Sequence, residues 1–299
     1  MHRGILKIKV LVIVFAVLLL ALIISGLISF FDKEIISNGI AIIPLNGEIT
    51  TTGSDGIFSG ASSSKITDKL EKANENSNVR AIILEINSPG GTVVASREIA
   101  NKVESIDKPI IAWIRESGAS GAYWIASASD WIVADDFSVT GSIGVIGSYV
   151  EFASLLENYN LTYRRLVAGE NKDIGDPFTE LTSSKEIILQ QKLNLVREDF
   201  VNAVAKNRNL SKSKVELIAE GSFMFGKEAI SLGLVDELGG KQEAINAAMK
   251  LSDLNSYRLI DYTEKTSLLN IFSGMFQQSA YSAGKGLGDS IKSNSLEIR

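Results

Sequence analysis

The segment Glu116-Ser117-Gly118-Ala119-Ser120-Gly121-Ala122-Tyr123-Trp124-Ile125-Ala126 places a serine among small residues, between a β-rich apolar run (Pro109 to Ile114) and a small-residue helical pattern. That order puts Ser120 on a tight strand-to-helix turn, where little crowds the backbone and the following amides point at whatever the serine attacks. Such a serine is a candidate nucleophile, and a nucleophilic serine needs a base. The chain has one histidine, His2 at the extreme amino terminus, and no cysteine. Histidine is therefore excluded as the base, and lysine is the natural alternative because burial brings its pKa into a useful range. Periodicity does not choose among the lysines. Lys172, in Gly169-Glu170-Asn171-Lys172-Asp173-Ile174-Gly175, sits in a glycine-punctuated loop after an expected strand, where functional groups concentrate. Lys227, in Phe225-Gly226-Lys227, is the second choice.

Gly90 and Gly91 close the turn Asn87-Ser88-Pro89-Gly90-Gly91, directly after the apolar run Ala81 to Ile86. A glycine pair at a strand end lets backbone amides approach a substrate closely. Two amides converging on a carbonyl oxygen form an oxyanion hole, in which each donor is worth roughly 3–4 kcal/mol. Plain structural readings stand beside these. A helix-starting turn that needs positive φ explains the glycine pair, and close helix–strand packing explains the small residues around Ser120. The latter run is not G-x-S-x-G, since Ala122 takes the last position. Gly141, Gly144 and Gly147 do not match G-x-G-x-x-G and carry no P-loop lysine, so they read as a turn.

The elements that must position these residues alternate. Strands are expected at Gly39–Leu45, Ala81–Ile86, Pro109–Ile114, Trp131–Ala134, Tyr163–Val167 and Tyr257–Tyr262. Helices are expected at Ile66–Asn74, Thr92–Ser105, Ser120–Ser129, Phe152–Tyr159, Ser184–Arg208, Lys212–Ala219, Lys227–Leu232 and Lys241–Leu251. Ser183 and Glu186 read as the capping box of the longest helix. Thr50 to Ser64, rich in Thr, Ser and Gly, reads as a loop. Repeated β-turn-α units imply crossover connections, hence an α/β fold with a mainly parallel sheet.

The 299 residues are 45% hydrophobic, enough for a sizeable core, and the net charge of −5 comes with no basic stripe, so no nucleic-acid partner is expected. With no Cys and one His, a zinc site is close to excluded. Val10 to Phe31 carries no charge, and its 22 residues make a helix of about 33 Å, long enough for a hydrocarbon core of about 30 Å. Arg3, Lys7 and Lys9 precede it and the net-acidic Asp32-Lys33-Glu34 follows. This pattern predicts a single-pass anchor in the cytoplasmic membrane with a cytoplasmic amino terminus. Four segments follow: a cytoplasmic tail (1–9), a transmembrane anchor (10–31), an extracytoplasmic catalytic domain (32–262) and a carboxyl-terminal tail (263–299). An apolar patch from Leu268 to Phe276 in the tail suits packing against core or subunit, contact with a membrane surface, or a self-processed segment that occupies the active site.

Taken together, Asn87 to Gly91, Ser117 to Tyr123, Thr140 to Val145, Asn171 to Ile174, Gly226-Lys227-Glu228-Ala229 and Gly233-Leu234-Val235-Asp236 resemble the short, single-repeat form of the signal peptide peptidase A (SppA) serine peptidases. The resemblance spans roughly residues 39–250 and implies a crotonase/Clp-protease-like β-β-α superhelix. It implies Ser120 as nucleophile, Lys172 as general base, Ser142 orienting the lysine, and Gly90 and Gly91 at the oxyanion hole. One departure is visible: Ala122 stands where the family has glycine. The implied function is a membrane-anchored serine endopeptidase that degrades remnant signal peptides without cofactor or metal. The implied partners are apolar peptides, the membrane and further copies of the chain in a ring. A protease trimming integral-membrane partners and a catalytically silent peptide-binding scaffold are the alternatives. External topology argues against an acyl-CoA enzyme.

Overall fold

A computed structural model describes residues 15–27, 38–53 and 60–263. Residues 15–27 form a helix, α1, whose side chains are exposed. The rest of the expected anchor, residues 54–59 of the expected loop and the Leu268–Phe276 patch lie outside the described residues. Among the described residues no helix is long and apolar enough to cross a membrane.

The chain then runs β1 (Gly39–Asn46), β2 (Ile49–Thr50), β3 (Ala61–Ser62), α2 (Ser63–Glu75), β4 (Val79–Ser88), α3 (Val93–Glu104), β5 (Ile110–Ala119), α4 (Gly121–Ser127), β6 (Trp131–Ala134) and β7 (Val139–Gly141). It continues α5 (Ala153–Asn158), α6 (Ser183–Asn207), α7 (Lys212–Ile218), β8 (Phe223–Phe225), α8 (Gly226–Leu232), β9 (Glu237–Leu238), α9 (Lys241–Leu251) and β10 (Arg258–Asp261). The main sheet has the order β10-β1-β4-β5-β6-β9, all parallel. β7 branches off the far end of β5 in parallel and pairs antiparallel with β8. A small second sheet joins β2 to β3.

Both faces of the sheet are covered, so its strands read as near-continuous apolar runs. In β1, Ala41, Ile43 and Leu45 point into the larger core beneath α2, α3, α4 and α6, while Ile40 and Ile42 pack on Ala244, Ile245 and Ala248 of α9. In the same way Ile82 and Leu84 of β4 face one layer and Ala81 and Ile83 the other. The α/β reading with a parallel sheet therefore holds.

Three local expectations need correction. No strand forms at Tyr163–Val167, where the backbone is irregular and the side chains are exposed. Its apolar residues find no sheet edge to complete, and strand propensity without a partner is not enough. The long helix begins at Ser183 with Thr182 as its N-cap, and Glu186 donates its N–H to the Thr182 carbonyl at 3.0 Å, so Ser183 is the first helical residue and not the cap. Finally, β4 and β5 each run past their expected ends, to Ser88 and Ala119. Their added length carries the two candidate motifs out beyond the core.

Candidate active site

Extension of β5 is what places Ser120. Ser117, Gly118 and Ala119 pair with Val139, Thr140 and Gly141 of β7, and Thr140 Oγ1 donates to the Gly118 carbonyl at 3.0 Å. The strand therefore stays extended up to the residue before the serine, and α4 starts on the residue after it. Ser120 absorbs the change of direction with φ 54° and ψ −125°. A side chain with a Cβ rarely occupies that region, and such strain persists only where the surroundings over-determine it. Here they do. The Ser120 N–H donates to the Gly141 carbonyl at 2.9 Å, and its carbonyl accepts from the Trp124 N–H at 3.0 Å. The result is a serine on a sharp strand-to-helix turn, the arrangement that exposes a nucleophilic hydroxyl in hydrolases.

Extension of β4 brings the glycine pair alongside. Gly90 has φ 107°, and a Cβ there would lie 2.8 Å from the Gly121 nitrogen and 2.9 Å from both the Ala119 oxygen and the Ser120 Cβ. Only glycine allows the two turns to touch. The Gly90 N–H donates to Ser88 Oγ at 3.1 Å, and its carbonyl accepts from the Ile49 N–H at 2.9 Å. Gly91 lines the same pocket as Ser120, beside Gly121. The hydrogen-bonding role of Gly90 is thus internal. Gly91 and Gly121 both line the pocket beside Ser120. Sequence reading missed Gly121, although it sits inside the Ser120 motif: its nearness to Gly91 depends on a strand pairing no local pattern reveals.

The pocket has a volume of about 580 Å³. Trp124 of α4 and Phe200 of α6 form its apolar floor, their rings stacked at 4.6 Å with an interplanar angle of 6°. Val93 and Val196 add aliphatic surface. Phe200 lies eighty residues beyond Ser120 and has no sequence signal apart from its apolar character. Ala122 is fully buried in the core and off the pocket wall, so the departure from the family pattern leaves the pocket lining untouched.

Ser142 also lines the pocket, directly after β7. Its φ is 50°, its N–H donates to the Ser222 carbonyl at 3.1 Å, and its hydroxyl donates to the Gly221 carbonyl at 3.0 Å. The hydroxyl proton is therefore directed away, leaving the oxygen lone pairs free to accept. Behind the site, Tyr123 is fully buried and donates its hydroxyl to the Leu234 carbonyl at 2.9 Å; burial pushes its phenol far above the usual range.

Lys172 is placed differently. It is exposed, in a turn after Gly169 whose carbonyl accepts its N–H at 3.1 Å, and it does not line the pocket that holds Ser120. Lys227 is off the wall too, with its ammonium 4.6 Å from the centre of the Phe137 ring. One chain thus brings together Ser120, Ser142 and Gly91, with Gly90 behind them, and leaves both candidate lysines outside.

A parallel α/β core with a strained serine and paired glycines at the carboxyl ends of its strands defines a serine hydrolase site of the Clp-protease kind. Clp protease matches residues 53–131, and peptidase family S49 matches residues 102–255. A protein of Methanocaldococcus jannaschii provisionally named a protease is 34% identical, over 75% of this chain and 71% of its own length. An Enterococcus faecium protein provisionally named signal peptide peptidase SppA is 33% identical, over 75% of this chain and 67% of its own. Protease 4 of Haemophilus influenzae is 34% identical over 72% of this chain and 35% of its own. The chain belongs to peptidase family S49, and it is a serine peptidase of the SppA kind.

Proposed function

We propose that this peptidase is a membrane-anchored endopeptidase that cleaves apolar peptides, remnant signal peptides among them, with Ser120 as nucleophile and Lys172 as general base. The observation that carries the reading is Ser120 itself, held in a strained turn at a pocket floored by Trp124 and Phe200. An extended apolar peptide seats a side chain on that floor and presents its carbonyl carbon to Ser120 Oγ. Neutral Lys172 Nζ takes the hydroxyl proton as the C–O bond forms, and the N–H groups of Gly91 and Gly121 receive the oxyanion. Collapse expels the amine, which leaves with the proton held by Lys172, and an acyl-enzyme remains. Water, deprotonated by the same lysine, then releases the acid. Ser142 accepts a hydrogen bond from the lysine ammonium and orients it.

Because Lys172 lies off the wall of its own chain's pocket, the lysine serving Ser120 comes from a neighbouring copy. The stretch that bears it supports this. From residue 144 to residue 199 no apolar side chain is buried, and Ile146, Leu161 and Leu166 are among its exposed apolar residues. An unburied arm that carries the base suits a ring in which each copy completes the next. The uncharged run from Val10 to Phe31 is the membrane anchor in this reading, with the catalytic domain outside the cytoplasmic membrane.

The test is hydrolysis of an apolar fluorogenic peptide by the full chain in detergent, from about pH 6 to about pH 10, for wild type, Ser120→Ala and Lys172→Ala. Loss of turnover in both variants, with a wild-type rate that rises through one basic ionisation, is the expected result. Turnover retained in either variant moves the nucleophile or the base elsewhere. Sequencing the membrane peptides that accumulate in cells carrying Ser120→Ala separates signal-peptide remnants from fragments of integral-membrane proteins.

A further inference from the structure

We propose that Asp173 is a positioning residue for Lys172, acting through an ion-pair cluster with Arg165 and Lys185; the proposal rests on Lys172 being the base. Asp173 is the neighbour of Lys172 in a stretch whose own chain offers it no buried apolar contact. Something else must fix the turn. The Asp173 side chain is only 7% exposed, yet it is a carboxylate on a surface arm. It receives the Lys185 ammonium at 2.8 Å, and that lysine is itself only 14% exposed. It also pairs with the Arg165 guanidinium.

One carboxylate thereby ties together the irregular segment before the turn, the turn itself, and the first turns of α6. The backbone of the same residue closes the loop, as the Asp173 carbonyl accepts from the Asp176 N–H at 3.0 Å. Asp176 Oδ2 in turn accepts from the Tyr163 hydroxyl at 3.0 Å. Exposed ion pairs elsewhere, such as Lys72 with Asp68, hold two mobile side chains and fix nothing else. Asp173 differs because all three charges belong to different parts of the arm and two of them are largely withdrawn from water.

The cluster also sets a charge. Arg165 and Lys185 against Asp173 leave one net positive charge beside a lysine that must shed a proton to act. The other titratable groups on or against this turn are Glu170, Asp176 and Tyr163. The hydrogen bond to Asp176, and to a lesser degree desolvation, raises the Tyr163 phenol above its usual range.

The experiment measures kcat, KM and the pH profile of kcat/KM for the full chain in detergent. The variants are wild type, Lys172→Ala, Asp173→Asn and Lys185→Gln, with active sites counted by a serine-reactive fluorophosphonate. Asp173→Asn is expected to lower kcat per labelled site by roughly 10- to 100-fold with KM within about twofold, because a base misplaced by an ångström costs about that much. Its acid limb should move to lower pH, since removing the carboxylate leaves two cations uncompensated. Lys185→Gln, which keeps the carboxylate, should move the limb to higher pH and lower kcat less. Should Asp173→Asn fail to assemble, the opposite shift in Lys185→Gln still tests the role. A purely structural role gives fewer labelled sites, each with wild-type kcat and an unmoved limb, and that result overturns the proposal. Full activity in Lys172→Ala would instead remove the base assignment on which it stands.

Discussion

Ser120 and Gly90 depend on each other, which makes their neighbourhood unforgiving. A methyl group on Gly90 would stand 2.8 Å from the Gly121 nitrogen and would sit on a backbone with φ 107°. Gly90→Ala should therefore lower the melting temperature and abolish labelling of Ser120 together, whereas Ser120→Ala should abolish labelling and leave the melting temperature nearly unchanged, because alanine keeps the Cβ and with it the backbone strain. Calorimetry beside probe labelling checks both. Ser142→Ala should reduce kcat by roughly 10- to 100-fold with little change in KM, the pattern for a group that orients a base and does not hold substrate. Much of this neighbourhood is legible in the sequence. Ser120 and the glycine pair sit in short motifs whose residue types suggest their chemistry, Ser142 is named only through family resemblance, and Ser120, Gly91 and Ser142 line one pocket. Lys172 has only a glycine-punctuated loop to mark it locally, and family resemblance is what prefers it to Lys227.

Among the elements, those built on long apolar runs were readable and those built on pairing alone were not. β1, β4 and β5 announce themselves by composition. β7 and β8 are three residues each, and they exist because the end of β5 offers an edge to pair with. A sequence window has no access to that edge, which is why no strand is expected just ahead of Ser142. The reverse error, a strand at Tyr163–Val167, has the same origin. Packing between α4 and α6 gives the clearest energetic prediction. Phe200 is 2% exposed and stacked on Trp124, so Phe200→Ala should cost about 3–5 kcal/mol and deepen the pocket, favouring bulkier substrate side chains. Denaturant unfolding and a substrate series measure the two effects. Tyr123→Phe should cost about 1–2 kcal/mol by leaving the Leu234 carbonyl unpaired. The buried phenol also gives a sign for pH dependence. Its folded pKa is raised, so the native state holds a proton that the unfolded state releases above about pH 10. Stability from this group is complete below that pH and falls as pH rises beyond it, a decline that Tyr123→Phe should flatten.

For the whole molecule, the proposal that Lys172 of one copy serves Ser120 of the next makes activity a property of assembly. Ser120→Ala and Lys172→Ala should each be inactive alone. Mixed in equal amounts and reassembled, they should recover about one quarter of wild-type turnover, since half the sites have a serine and half of those face a lysine. No recovery would place both groups in a single chain. Leu166→Asp, at a fully exposed apolar position of the same arm, should lower oligomer mass and activity in parallel while leaving the fold of the isolated chain intact. Light scattering during the activity assay follows both.

The sheet itself has a direction. β1, β4 and β5 run side by side and parallel, with Gly39 beside Val79 at one rim, while Ser120 comes after the opposite end of β5. At about 3.3 Å per residue, that puts the start of β1 and the Ser120 hydroxyl on opposite rims, some 25–30 Å apart. A substrate of Ser120 is one presented at the rim of the sheet opposite Gly39, a strand's length from where β1 begins.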